Sequence, residues 1–155
     1  IDNVFFSNVS ELYNKLVVNE RKVRYVYMGA PFNRDPNLIT ISASVKSKDD
    51  MQYVKDEIMK TLEKSKTTLV DANKLRDAIS NLKYSFAMRN DTPGGIAGML
   101  AYYIVLTGNP ESVNNYYSLY GKIKPEDLIN TAKKYFTESE LTIGTISADE
   151  NGPVK

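Results

Sequence analysis

The chain has 155 residues, 42% hydrophobic and 25% charged, with 20 Lys plus Arg against 19 Asp plus Glu and no His, Cys or Trp. The length and composition fit one ordinary globular domain. The missing His and Cys exclude a zinc or copper centre of the usual kind, a disulfide, a thiolate nucleophile and a histidine base. A net charge of +1 argues against the basic face of a nucleic-acid binder. No apolar run is long enough to span a membrane. An oxygen-ligand cation site and carboxylate or lysine chemistry stay open. On composition alone the chain reads as a binding or scaffolding domain more than as a self-sufficient enzyme. It starts at Ile1 with no signal peptide, which suggests a fragment or processed product.

In chain order, Asn8-Val9-Ser10-Glu11 reads as a capping-box start, with Leu12, Leu16 and Val9 on one side of a helix ending near Glu20. Val23 to Ala30 is rich in Val and Tyr, a strand signal. Turn formers at 33–37 separate it from Leu38 to Lys46, where Ile39, Ile41, Ala43 and Val45 share a face and Thr40, Ser42 and Ser44 the other. Residues 23–46 therefore read as an antiparallel hairpin with a wide loop. Met51, Val54, Ile58 and Leu62 form a helical stripe, as do Leu75, Ile79, Leu82 and Phe86 after the cap Asp71. Pro93 to Leu106 is apolar enough to predict a buried helix. Asn109-Pro110-Glu111 and Lys124-Pro125-Glu126-Asp127 start two more, the second with the stripe Leu128, Ile129, Ala132 and Phe136. Leu141 to Ser147 reads as a closing strand that rejoins the sheet, and 149–155 as a loose polar tail. Strands and helices are segregated, so the class is α+β: an antiparallel sheet with several helices packed on one face, in a single domain over 1–148.

Local motifs that carry chemistry are weak. Gly94 and Gly95 before a helix offer backbone N–H groups to an anion, but no phosphate-loop spacing is present, and close packing at these glycines and Gly98 explains them as well. Ser80 and Lys83 match a hydrolase S-x-x-K pattern inside an amphipathic helix, without companion motifs, as a solvated helix face does. The tyrosines include Tyr25 and Tyr27 on a strand, where rings stack bases or, more commonly, pack. Asp49, Asp50, Asp56 and Glu57 surround a helix start, which suits the helix dipole better than a metal.

Order adds what single motifs lack. Ser10-Glu11-Leu12-Tyr13-Asn14-Lys15-Leu16 is followed by Asn19-Glu20-Arg21-Lys22-Val23 and Asp35-Pro36-Asn37-Leu38-Ile39-Thr40-Ile41. Pro125-Glu126-Asp127-Leu128 and Ala132-Lys133-Lys134-Tyr135-Phe136 come near the end. From about Phe5 to Ser147 this succession resembles the later, non-catalytic domain of the pitrilysin/insulinase-type zinc metallopeptidases. The resemblance implies a partial metallopeptidase-family domain, without the strands and long helix with which the family domain opens. It implies no cofactor in this chain: zinc belongs to a partner domain or subunit carrying a His-x-x-Glu-His helix. The chain then helps to hold an extended peptide across a chamber. Family members place an Arg and a Tyr near the scissile bond. Tyr53 matches the Tyr, whereas Leu38 to Val45 contains no Arg and has Ser42 near that place. Arg21 and Tyr25 lie in a family-like stretch as further substrate contacts or as structural residues. The implied partners are a catalytic domain or subunit and a peptide, with association between copies through an exposed sheet edge. The missing Arg keeps a second reading open, a catalytically inactive structural or assembly subunit. A generic peptide- or RNA-binding domain is the third.

Overall fold

The computed structural model describes residues 1–35 and 37–147, so the polar tail lies outside the described residues. The order is α1 (Asp2–Phe5), α2 (Glu11–Tyr13) running into a π-helical stretch (Asn14–Asn19), β1 (Val23–Gly29), β2 (Thr40–Val45), α3 (Met51–Thr67), α4 (Ala72–Arg89), α5 (Pro93–Thr107), α6 (Ser112–Leu119) and α7 (Pro125–Tyr135). Seven α-helices and one two-stranded antiparallel sheet among the described residues make the class α+β. None of these helices is long and apolar enough to cross a membrane. Residue contacts gather into two compact units. The first holds Ile1–Gly29, Ile39–Leu69 and the chain from Glu126 onward; the second holds Ala30–Leu38 and Val70–Pro125.

In the first unit, β1 and β2 pair with Val26 opposite Ala43 and Met28 opposite Ile41. An irregularity between Val23 and Tyr25 inserts one extra residue, so Val23, Val26 and Met28 all point inward despite the broken alternation. Ile41 and Ala43 lie on the core side, as their alternation predicts, while Tyr25 and Tyr27 take the opposite face beside Ser44 and Ser42. The buried side comprises Phe6, Leu12, Leu16, Val54, Leu62, Leu128 and Ala132. Burial of each aliphatic side chain contributes roughly 1.5–3 kcal/mol against exposure. Ser10, not Asn8, caps α2: its Oγ accepts the Tyr13 N–H at 3.1 Å. Val9 is left exposed. The helix then widens, and the Glu20 N–H reaches back five residues to the Lys15 carbonyl at 2.9 Å.

In the second unit, Asp71 Oδ1 caps α4 through the Asn73 and Lys74 N–H groups. Helix α6 starts at Ser112, two residues beyond the expected Pro110, because the Asn109 side chain accepts the Glu111 N–H in a turn. Two expectations are corrected. Helix α5 forms but is not buried: of its side chains only Tyr103 is enclosed, and Val105 is 77% exposed. Its apolar residues run all round the axis, so it has no single stripe to turn inward. Leu141 to Ser147 is not a strand. It pairs with neither β1 nor β2, and Ile146 is fully exposed. A β pattern yields a strand only where an edge is there to accept it.

Candidate functional site

Tyr53 stands in the first turn of α3, with Asp50 three residues before it and Glu57 four after it on the same helical side. Residues 15–22, rounding the end of the π-helical stretch, face that side. The Tyr53 hydroxyl donates to Glu20 Oε1 at 2.9 Å. The Lys15 and Lys22 ammonium groups sit 5.4 Å and 5.3 Å from the ring centroid, within cation–π range. Lys15 also pairs with Glu57 at 2.6 Å, and Lys22 pairs with Asp50. Bonding to Glu57, then to Tyr53, raises the Lys15 pKa above the ordinary lysine value; bonding to Asp50 does the same for Lys22. The result is a phenol ringed by two cations and three carboxylates. It can hold a polar backbone or a charged side chain, and it contains no free base or nucleophile poised against a reacting atom.

Arg21 lies between Glu20 and Lys22 and has φ 54°, the left-handed region that non-glycine residues seldom occupy. That turn lets both neighbours face Tyr53 while the Arg21 side chain points to solvent. Tyr25 is half-exposed and packs on Tyr27, with ring centroids 5.7 Å apart. These two strand tyrosines therefore form an open aromatic surface and are not core. No hydrogen bond, ion pair or ring contact joins Tyr53 to Arg21 or Tyr25 among the described residues. Ser42 lies opposite Tyr27 on that face. Sequence reading missed Lys15, Glu20 and Lys22 as neighbours of Tyr53; only the placement of Asp50 and Glu57 around Tyr53 on one helix was visible in advance.

The other motifs resolve simply. Thr92 Oγ1 accepts the Gly95 N–H at 3.1 Å, so the start of α5 is capped by its own chain. Gly95 is needed there, since a Cβ would come within 2.6 Å of the Arg89 carbonyl oxygen, whereas Gly94 and Gly98 face open space. Lys83 lies 5.4 Å from the Tyr117 ring centroid, and no bond links it to Ser80. Asp56 accepts from Gln52 at 2.9 Å. Among the described residues no group of three or more His, Cys, Asp or Glu side chains converges as a metal-ligand set.

The second unit carries a separate feature. Tyr102, Tyr103, Tyr116, Tyr117 and Tyr120 link with Phe32 and Phe86 in a continuous chain of ring contacts, 5.3–6.2 Å between centroids. Burial, then a hydrogen bond with Tyr116, pushes the Tyr120 hydroxyl up to about 12; burial likewise raises that of Tyr103. An open hollow of about 530 Å³ lies along this cluster.

No family model and no curated protein matches the chain. Among solved structures it is similar to a protease from Helicobacter pylori, with a TM-score of 0.72 at 21% identity over 90% of this chain and 34% of that one. The chain thus spans about a third of the length of that protein. The likeness is one of fold, and by it the chain shares its α+β architecture with part of a protease.

Proposed function

We propose that the chain is a non-catalytic, peptide-holding domain of a zinc peptidase of the pitrilysin/insulinase type, with metal and catalysis supplied by another domain or subunit. The observation that carries this reading is a fold shared with part of a protease in a chain that has no His or Cys. The Tyr53 cluster supports it chemically. A hydroxyl beside lysines and carboxylates exchanges hydrogen bonds readily with an extended peptide backbone. Arg21 and Tyr25 are assigned as flanking contacts. The test is to titrate an unfolded peptide into isotope-labelled protein with and without zinc. The expected outcome is saturable shifts around Tyr53, weakened in Tyr53→Ala, and no cleavage under either condition. Zinc-dependent cleavage by the chain alone overturns the reading.

A second reading, an inactive structural or assembly subunit of the same family, is favoured by the lack of an Arg between Leu38 and Val45. It predicts no peptide-induced shifts around Tyr53, together with tight association with a partner subunit. Association between copies is a further part of the proposal, checked by size-exclusion chromatography; a clean dilute monomer counts against it.

A further inference from the structure

The hollow in the second unit has a mixed lining. Phe32, Tyr103 and Tyr116 give it an aromatic wall, together with Leu119; Asn115 and Lys122 are among its polar residues. The lining Ser and Thr hydroxyls are already committed. Thr107 and Ser112 bond each other and the Asn109 carbonyl, and Ser118 donates to the Asn115 carbonyl at 2.7 Å. The Asn115 amide and the Lys122 ammonium have no such protein partner among the described residues. None of the lining residues is acidic. About 530 Å³ falls within the range of ordinary ligand sites. The side is open, so a longer molecule can enter end-first and leave its remainder in solvent.

We infer that this hollow binds the C-terminal residue of a polypeptide. A bulky apolar side chain lies against the aromatic wall, and the terminal carboxylate meets Lys122 and the Asn115 amide. Aromatic walls favour large apolar side chains through area and ring geometry. A lone cation with an amide donor and no competing acid complements one carboxylate. The inference is independent of the peptide-holding role assigned to the Tyr53 cluster, which belongs to the other unit.

The experiment is a titration of isotope-labelled protein with N-acetyl-Ala-Ala-Phe, its C-terminal amide and N-acetyl-phenylalanine, read by backbone chemical shifts. The free-acid peptide is expected to give saturable shifts in α6 and around Tyr103, with the Tyr53 region unmoved. Amidation weakens binding by up to about fivefold, the upper end for one solvent-exposed ion pair. Lys122→Gln removes that preference, so that the variant binds acid and amide alike. Leu119→Asp, at a position 52% exposed and so tolerated by the fold, abolishes binding of the acid. Circular dichroism confirms that both variants are folded. Absence of saturable shifts at the hollow overturns the inference. So does equal binding of acid and amide, or binding of N-acetyl-phenylalanine without the tripeptide, which marks a site for small acids.

Discussion

At Tyr53 the ring and the hydroxyl can be removed separately by substitution. Tyr53→Phe keeps the ring between Lys15 and Lys22 and loses the hydroxyl's bond to Glu20 and its interaction with Lys15. Because that bond is exposed, the expected loss is about 0.5 kcal/mol in urea denaturation. Tyr53→Leu removes both cation–π contacts and is expected to cost about 1 kcal/mol more. Arg21 is read differently once its backbone is known. Its φ of 54° carries a steric penalty that glycine does not. Arg21→Gly is therefore expected to raise stability by about 0.5 kcal/mol. If the side chain also contacts peptide, the same variant binds peptide more weakly, and the two measurements together divide the roles. The raised pKa values of Lys15, Lys22, Tyr103 and Tyr120 all act in one direction. A group whose folded pKa is raised stabilises fully below its unfolded pKa, and that contribution disappears as pH climbs through the folded value. Stability is thus expected to decline from about pH 10 upward, where unfolded Tyr and Lys begin to titrate. Tyr120 completes its share near pH 12. The urea midpoint followed against pH checks this, and Tyr120→Phe should flatten the decline between those limits.

Elements whose signals are local were the legible ones. The cap at Asp71, the stripe in α3, the start of α7 and the β1–β2 hairpin all follow from residues within a few positions of each other. The π-helical widening after Tyr13 carries no such signal, because Leu12 and Leu16 fit an ordinary helix equally well. The bulge in β1 was hidden for a related reason: it replaces strict alternation with an offset that only the partner strand reveals. The glycines of α5 show how one composition serves two purposes. Gly95→Ala pushes a Cβ against the Arg89 carbonyl and is expected to destabilise by 1 kcal/mol or more, about the scale of overpacking. Gly98→Ala meets nothing and is expected to stabilise by about 0.5–1 kcal/mol through helix propensity. Thermal denaturation of the pair checks both signs. Within the candidate site, Tyr53 was named from the sequence, but Lys15, Glu20 and Lys22 come from a separate segment that only folding brings close.

At the scale of the molecule, both corrected expectations share a cause. Burial of α5 and pairing of Leu141 to Ser147 are relations with a second surface; α5 meets one over part of its circumference, at residues such as Tyr103, and Leu141 to Ser147 joins no strand among the described residues. Ile96, Tyr102, Ile104 and Val105 are exposed along α5. Val105→Lys is expected to change stability by no more than about 0.5 kcal/mol, since the side chain is largely exposed. It should also reduce self-association, measured by sedimentation; an unchanged profile would mean that this face takes no part in it. The aromatic chain of the second unit has a consequence for observation. The protein has 11 Tyr and no Trp, so its near-ultraviolet signal comes from phenol chromophores against a minor Phe background. Five of those phenols are coupled in one cluster within residues 102–120, whereas among the described residues of the first unit Tyr25 and Tyr27 form the one tyrosine ring pair. The molecule thus carries an intrinsic optical reporter weighted toward one of its two units. Its melting can be watched apart from the backbone signal of the whole chain, with no label added.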